Sequence, residues 1–422
     1  MPPFDAGVPA LVLRLDRNPF HHGTLGAVRS LGRAGIEVHA VVESATSPVV
    51  RSRHLHRAHP VRPGTVGRDG TGFTELLLRV SDLIGAPAVL VPMDDLGAIL
   101  TARYANRLAD RYLFPRQDPG VPGSLADKSA LAAVCERAGV PQPPTVVPAS
   151  AAEAAAAVRA LGVPLVAKWS RPWLLPPASG LRSTTLVGSA AAVRELYARG
   201  ERYAGGAPGG AGLLLQRYLP DAPDADWFFH GCFATGDGRL LAGGTGRKEL
   251  SWPPRAGLTA KGRWWPNERV AAAARRLVDA VGYRGVIDLD FRRDRADGTY
   301  RLLDANPRPG AQFRLFTDPD GTDVVRALYR DLTGQQPPPR AERPGRVFVA
   351  ENYALLSAAA AATAALGPGR RAGPGIRRTP DPAGFETAWF AGDDPRPFLA
   401  MTGSWLARGL AKGIRRARTV LP

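Results

Sequence analysis

The chain has 422 residues, 45% of them hydrophobic and 22% charged. At roughly 100–200 residues per domain this allows two to four domains and excludes a small disulfide-stapled scaffold. Its 47 glycines and 40 prolines follow no Gly-X-Y period, so a collagen-like rod and wholesale disorder are excluded as well. The formal charge is +17, yet only five of the 55 basic residues are lysine: Lys128, Lys168, Lys248, Lys261 and Lys412. A guanidinium is larger and planar, so positions that keep lysine in so arginine-rich a chain point to sites that need a compact ammonium.

Residues 1–122 read as a parallel α/β domain. Strands are expected at 10–14, 36–42 and 88–92, and helices at 23–34, 73–84 and 96–108, from the alternation of short apolar runs with helically spaced ones. In such a sheet ligands sit beyond the carboxyl ends of the strands, which makes 16–24 and 93–95 candidate substrate loops. No GxGxxG follows the first strand, so no dinucleotide site is indicated. Six of the seven histidines precede residue 60, and His54, His56 and His59 interleave with Arg51, Arg53 and Arg57. Adjacent cations oppose a metal ion, and the stretch reads as a solvated or phosphate-facing strand. Cys135 and Cys232 lie in apolar contexts and read as buried free thiols of a reducing compartment. The N-terminus has no basic segment leading into an apolar one, and no run of 18 apolar residues occurs, so a cytoplasmic chain is expected.

Residues 123–335 form the next expected unit. A helix over 124–138 puts Lys128 in its first turn and stops at Gly139; a second helix covers 151–161; a strand from 165 ends at Lys168. Residues 205–212 (GGAPGGAG) lack the terminal Lys-Ser/Thr of a phosphate loop and read as a turn before a strand at 213–219. Strands are expected at 227–234 and 239–243. Residues 243–262 read as a loop stiffened by Pro253 and Pro254, with Arg247 and Lys248 as anion binders, and Asn267 caps a helix. Residues 336–422 read as a separate extension with an Ala-rich helix at 357–366, a Gly/Pro/Arg linker at 367–382 and a basic amphipathic tail at 405–418.

The sharpest constellation is GVIDLDFRRDRADGTYRLLDANPRPG at 285–310. Residues i and i+2 share a strand face, so Asp288 with Asp290, and Asp304 with Asn306 and Arg308, can converge across a hairpin. Taken singly, Asp288 reads as a solvated strand-edge carboxylate. Carboxylates with an amide oxygen suit Mg²⁺, and Arg308 could neutralise a phosphoryl group in transfer.

With Asp127-Lys128, the strand-end Lys168 in PLVAKW and the strand LLLQRYLP at 213–220, this hairpin resembles the ATP-grasp superfamily of carboxylate–amine ligases, over roughly 125–334. The segment TGRK…PP…G at 245–257 resembles an uncharacterised branch of it. The resemblance implies a pre-ATP-grasp α/β domain, a two-lobed ATP-grasp fold whose lid spans about 168–215, and a C-terminal extension. It further implies that Lys128 and Lys168 contact ATP phosphates, that Gln216, Arg217 and Leu219 line the adenine through backbone atoms, and that Asp290, Asp304 and Asn306 hold Mg²⁺, or Mn²⁺ in its place. Asp224 or Asp226 would meet the ribose, and Arg308, Arg247 and Lys248 would serve the transferring phosphoryl group. The implied reaction makes an acyl phosphate and joins it to an amine, with small-molecule carboxylate and amine as partners and no nucleic acid. ATP-dependent carboxylation of bicarbonate, or nucleotide binding without chemistry at an anionic membrane through 405–418, are the competing readings. A homodimer is a further expectation. Residues 169–185 match the usual glycine-rich flap poorly.

Overall fold

Apolar runs that are buried along their whole length demand a sheet covered on both faces. The computed structural model describes residues 4–62, 64–176, 179–204, 211–254, 257–336, 342–365 and 383–420. Its first sheet meets that demand: β1 (Ala10–Leu13), β2 (Val38–Val42), β3 (Arg57–Pro60), β4 (Ala88–Pro92) and β5 (Tyr112–Leu113) are parallel, in the order β3-β2-β1-β4-β5. Helices α1 (His22–Gly32), α2 (Phe73–Ile84), α3 (Asp95–Arg103) and α4 (Ala105–Leu108) connect them. The single helix expected over 96–108 is broken at Tyr104. Strand order reverses between β1 and β4, and there the Asp94 carboxylate accepts from the amides of Leu15, Asp16 and Gly97, tying both loops to the start of α3.

The chain then forms α5 (Val121–Ala126) and α6 (Lys128–Ala138), separated by Asp127 because its carboxylate caps α6 through the amides of Ser129 and Ala130. A four-stranded sheet follows from β6 (Thr145–Val146), β7 (Leu165–Trp169), β8 (Thr184–Val187) and β9 (Leu213–Arg217), ordered β6-β9-β7-β8 and backed by α7 (Ala151–Leu161) and α8 (Ala190–Ala204). Most of the glycine-rich 205–212 lies outside the described residues, as does the linker at 367–382.

The largest sheet contains β10 (Asp226–Phe233), β11 (Leu240–Trp252), β12 (Leu258–Trp264), β13 (Gly285–Arg293) and β14 (Tyr300–Asn306). Trp227, Phe229 and Phe233 on one face of β10 pack against α6 and α9 (Glu268–Val281), which Asn267 caps; Phe228 and Cys232 on the other face join the core of the first sheet. Within 243–262, where a loop is expected, residues 243–252 and 258–262 instead belong to the paired strands β11 and β12.

The C-terminal region is not a separate extension. After α10 (Val324–Leu332), β15 (Val347–Val349) pairs with β12 and, beyond α11 (Glu351–Ala365), β16 (Phe385–Thr387) pairs with β15, completing the order β14-β13-β10-β11-β12-β15-β16. The final helix α12 (Arg396–Val420) docks its first turns on the N-terminal region: Met401 is buried, Phe398 and Trp405 pack on the same core, and Arg408 lies over Phe20, 5.1 Å from the ring centre. Within the expected tail, Trp405 and Arg408 thus contact the N-terminal region while Leu406 is exposed; the side chains from 410 onward lie outside the described residues. No described helix is long and apolar enough to cross a membrane. Both cysteines are buried free thiols.

Asp394 fastens this C-terminal region to the first sheet. Its carboxylate, 1% exposed, accepts from Arg29 Nε (2.9 Å), Ser52 Oγ (2.7 Å) and the Arg53 amide (2.9 Å), while Arg29 is fully buried. Removing one member of a buried pair strands the other charge without solvent. Asp394→Ala should therefore destabilise the chain by about 3–5 kcal/mol in urea unfolding. Asp393→Ala, which removes an exposed partner of Arg33 and His54, should cost about 1 kcal/mol or less.

Candidate active site

Antiparallel register fixes which carboxylates meet. Across β13–β14, Asp290 faces Asp304 and Asp288 faces Asn306, and β10 continues the rows with Phe228 beside Asp290 and His230 beside Asp288. Two carboxylates directly opposed repel each other, and the lysines answer that repulsion from three other elements. Lys128 Nζ, in the first turn of α6, donates to Asp304 Oδ1 at 2.6 Å. Lys248 Nζ, on β11, lies 3.3 Å from Asp290 Oδ1 and 3.4 Å from the Gly257 carbonyl oxygen. Lys168 Nζ, on β7, donates to the Leu303 carbonyl oxygen at 2.6 Å and so bridges the four-stranded sheet to β14.

A cleft open to solvent lies between the two sheets. Its walls bring together Lys168, Gln216, Arg217, Leu219, Asp226, Lys248, Asp290 and Asp304. Gln216 Nε2 donates to Thr145 Oγ1 at 3.0 Å, and Arg217 to Asp294 at 2.9 Å. Asp226 is held by a two-pronged contact with Arg292 at 2.5 and 2.8 Å, while Arg292 also donates to the Leu219 carbonyl oxygen. Asp224 does not line this cleft and pairs with Arg247. Thr184, on β8, is the cleft residue from the flap region; Ser179 instead accepts from the Leu181 amide and, through its carbonyl oxygen, from Arg199.

Three expected members sit elsewhere. Arg247 is not an anion binder of the cleft: consecutive strand residues point to opposite faces, so it lies on the side away from Lys248, over Trp265 at 5.1 Å and paired with Asp224 and Glu249. Lys261 is likewise engaged with Glu249, at 2.9 Å. Asn306 does not line the cleft; its amide nitrogen donates to Asp288 Oδ2 at 3.2 Å, which turns its oxygen away from that carboxylate. Arg308 spans two domains, with Nη1 3.3 Å from Asp288 Oδ2 and Nε 3.2 Å from Asp95 Oδ1 at the start of α3.

Burial and charge set the protonation states. Burial alone would lower Lys128 and Lys248, but Asp304 and Asp290 respectively outweigh it, so both ammonium groups are raised. Lys168 is lowered, because its burial exceeds what Asp304 restores. Asp304 is depressed below the ordinary carboxylate range despite burial, by Lys128 and Lys168. Asp288 goes the other way, pushed up to about 8 by burial and by the neighbouring Asp290, against the pull of Arg308 and Lys248. Beside it His230 is held down to about 3 by burial, with Arg308 and Lys248 adding to the effect. His230 Nε2 lies 3.1 Å from Asp288 Oδ1 without hydrogen-bond alignment, and neither ring nitrogen has a hydrogen-bond partner. A Cβ on Gly310 would stand 2.1 Å from the His230 ring and 2.6 Å from the Asp288 carboxyl carbon, so only glycine closes over this pair.

Asp288, which taken singly reads as a solvated strand-edge carboxylate, is buried, and its i, i+2 spacing to Asp290 is the signal that places both on one face. His230, Glu249 and Arg292 carried no such signal.

No protein-family model matches this sequence, and no curated protein matches it in sequence. Solved structures do match in fold. N5-carboxyaminoimidazole synthetase from Staphylococcus aureus, complexed with ADP, superposes with a TM-score of 0.58 at 12% identity over 80% of each chain. L-amino acid ligase from Bacillus licheniformis gives 0.58 at 14% identity, over 82% of this chain and 79% of that one. The biotin carboxylase domain of Hydrogenobacter thermophilus 2-oxoglutarate carboxylase, a dimer in complex with MgADP, ADP and bicarbonate, gives 0.59 at 18%, over 80% and 73%. All are ATP-grasp enzymes, and this chain has the ATP-grasp fold.

The raised Asp288 makes a signed prediction. A carboxyl whose folded value lies above its unfolded one contributes stability at low pH that is lost as pH rises towards the folded value. Asp288→Asn mimics the protonated acid. Its melting temperature relative to the unaltered ligand-free chain should therefore climb between about pH 5 and about pH 8; a flat difference would mean that Asp288 titrates normally.

Proposed function

We propose that the chain is an ATP-dependent carboxylate–amine ligase. In this reaction class the terminal phosphoryl group of ATP passes to a carboxylate oxygen, giving an acyl phosphate and ADP; an amine then attacks the carbonyl carbon, the C–O bond to phosphate breaks, and an amide and inorganic phosphate result. The observation that carries the reading is the convergence of Lys168 and Lys248 with the opposed Asp290 and Asp304 on the walls of one cleft. The ATP-grasp fold supports it, as does a neighbour that is an L-amino acid ligase.

Carboxylate and triphosphate are both anions, so the chain must gather cations where they meet. Lys128, Lys168 and Lys248 supply compact ammonium groups, and the backbone of Gln216, Arg217 and Leu219 forms the wall for the adenine. Asp226, on the same wall, is the ribose partner of choice over Asp224, with Arg292 fixing its carboxylate. The facing carboxylates of Asp290 and Asp304 are an all-oxygen donor pair that fits Mg²⁺, which commonly keeps one or two carboxylates and leaves the rest of its shell to phosphates and water; Asn306, turned to Asp288, is not part of the set. Bound there, Mg²⁺ would neutralise charge on the phosphates. Arg308, anchored by Asp288 and Asp95, presents its guanidinium between the hairpin and the switch point of the first sheet, where the loops at 16–24 and 93–95 are suited to hold the carboxylate substrate.

An ADP-release screen over paired small carboxylates and amines tests the reading, with hydroxylamine replacing the amine to trap the acyl phosphate as a hydroxamate. Asp304→Asn should lower kcat by on the order of 10²-fold or more while the chain stays folded. ADP release that requires bicarbonate instead would assign the carboxylation seen among the structural neighbours. Unchanged turnover in Asp304→Asn would remove the metal assignment.

A further inference from the structure

The histidines crowded near the N-terminus separate in the structure. His54 turns to Asp393, with Nε2 2.9 Å from Oδ2, and Arg53 is drawn the same way, its amide donating to Asp394 and its guanidinium to the Asp393 carbonyl oxygen. His21 caps α1 and His22 packs among Phe348, Tyr353 and Trp389, whereas His39, His56 and His59 gather with Glu37 at the edge of the first sheet, where β3 is the outermost strand. His39, buried on β2, stands between two partners: Nε2 lies 2.8 Å from Glu37 Oε1, and Nδ1 lies 3.0 Å from Nε2 of His59 on β3. His56 Nε2 is 3.8 Å from the same Glu37 oxygen, and its ring centre is 5.2 Å from that of His39.

We propose that Glu37, His39 and His56 bind a zinc ion, or a first-row transition metal of similar preference, at the β2–β3 edge. Two imidazole nitrogens and one carboxylate oxygen with a fourth position left to water are a recurrent zinc set, whereas imidazole gives no advantage to Mg²⁺. The spacing fits. In a tetrahedron with bonds of about 2.0–2.1 Å, ligand atoms stand about 3.3 Å apart. The Glu37 oxygen is 2.8 Å from one nitrogen and 3.8 Å from the other, and the three ligand atoms lie within 4.8 Å of one another. Closing on one ion needs only rotations of Glu37 and His56, which are 46% and 57% exposed.

His39 is already oriented for the role. With Nε2–H donating to the Glu37 carboxylate, Nδ1 accepts from Nε2–H of His59, whose ring stacks on it at 5.3 Å and 17°. A ligating histidine is normally fixed by a bond from its other nitrogen. A metal on Nε2 would shift both rings to the other tautomer, so that Nδ1–H of His39 donates to Nε2 of His59 and holds the ligating ring in place. The bound ion would cross-link the start of β2 to the chain entering β3.

The test titrates Zn²⁺ into the full chain without a histidine tag, in excess Mg²⁺ to occupy the cleft carboxylates, against a chromophoric chelator. One equivalent per chain is expected to be taken up with a rise in melting temperature, and Co²⁺ in its place should give the visible absorption of a tetrahedral site. His56→Ala and Glu37→Gln alter exposed side chains and should each weaken uptake by about tenfold or more; His59→Gln should weaken it by about 10–100-fold while keeping the Co²⁺ spectrum. Absence of a stoichiometric equivalent in the unaltered chain, or the same affinity in His56→Ala and Glu37→Gln, would overturn the assignment.

Discussion

Two carboxylates held face to face in an antiparallel ladder are the constraint on which the rest of the molecule turns. Asp290 and Asp304 are directly opposed, an arrangement that is unfavourable by itself. It persists because ammonium groups arrive from α6, β7 and β11, which belong to different parts of the chain. The same contacts draw the four-stranded sheet and the largest sheet together, since Lys168 reaches across to a backbone oxygen of β14. Charge compensation and lobe closure are thus one interaction: no single lobe could carry the hairpin's carboxylates in a half-buried setting without the others.

The N-terminal sheet enters through Arg308. Asp94 holds the two loops at the β1–β4 switch point, and the next residue, Asp95, meets Arg308 from the far end of the hairpin. Because the first sheet shares its hydrophobic core with one face of β10, this contact rests on rigid packing on both sides. Arg308 itself lies in the bend after β14, so its guanidinium is fixed by the Asp95 and Asp288 carboxylates and not by its own strand.

Much of this was legible in the sequence, for identifiable reasons. Short buried runs and helical spacing located β1, β2, β4 and α2, though not the two-residue β5, and capping residues marked α6 and α9, because those signals are local. The scarcity of lysine singled out Lys128, Lys168 and Lys248, each needing a compact charge against a carboxylate or carbonyl. What failed was whatever depended on facing or distant pairing. Arg247 and Lys248 are neighbours in sequence but lie on opposite faces, and the prolines after Trp252 suggested a loop where a long β11–β12 ladder forms. Residues 347–349 and 385–387 are too short to announce themselves as strands; they form because β12 offers an edge. Asp288 looked solvated because nothing in sequence shows that Gly310 lets the chain close over it.

The two rows of the hairpin divide their labour by solvation. In the outer row, Lys128 and Lys168 hold Asp304 below the ordinary carboxylate range, and Lys248 lies 3.3 Å from Asp290. The inner row, Asp288 with His230 and Asn306, is dry, and both titratable members are driven towards their neutral forms. A third full negative charge two residues from Asp290 would compete with the outer pair for the same few cations. Holding a proton on Asp288 leaves Lys248 to Asp290 and lets Arg308 look outward to Asp95. On the proposed reading this also explains the lysines' second use. In the ligand-free chain they offset the repulsion between the carboxylates. A divalent cation held by Asp290 and Asp304 would supply that neutralisation in their place and would leave the ammonium groups to the phosphates.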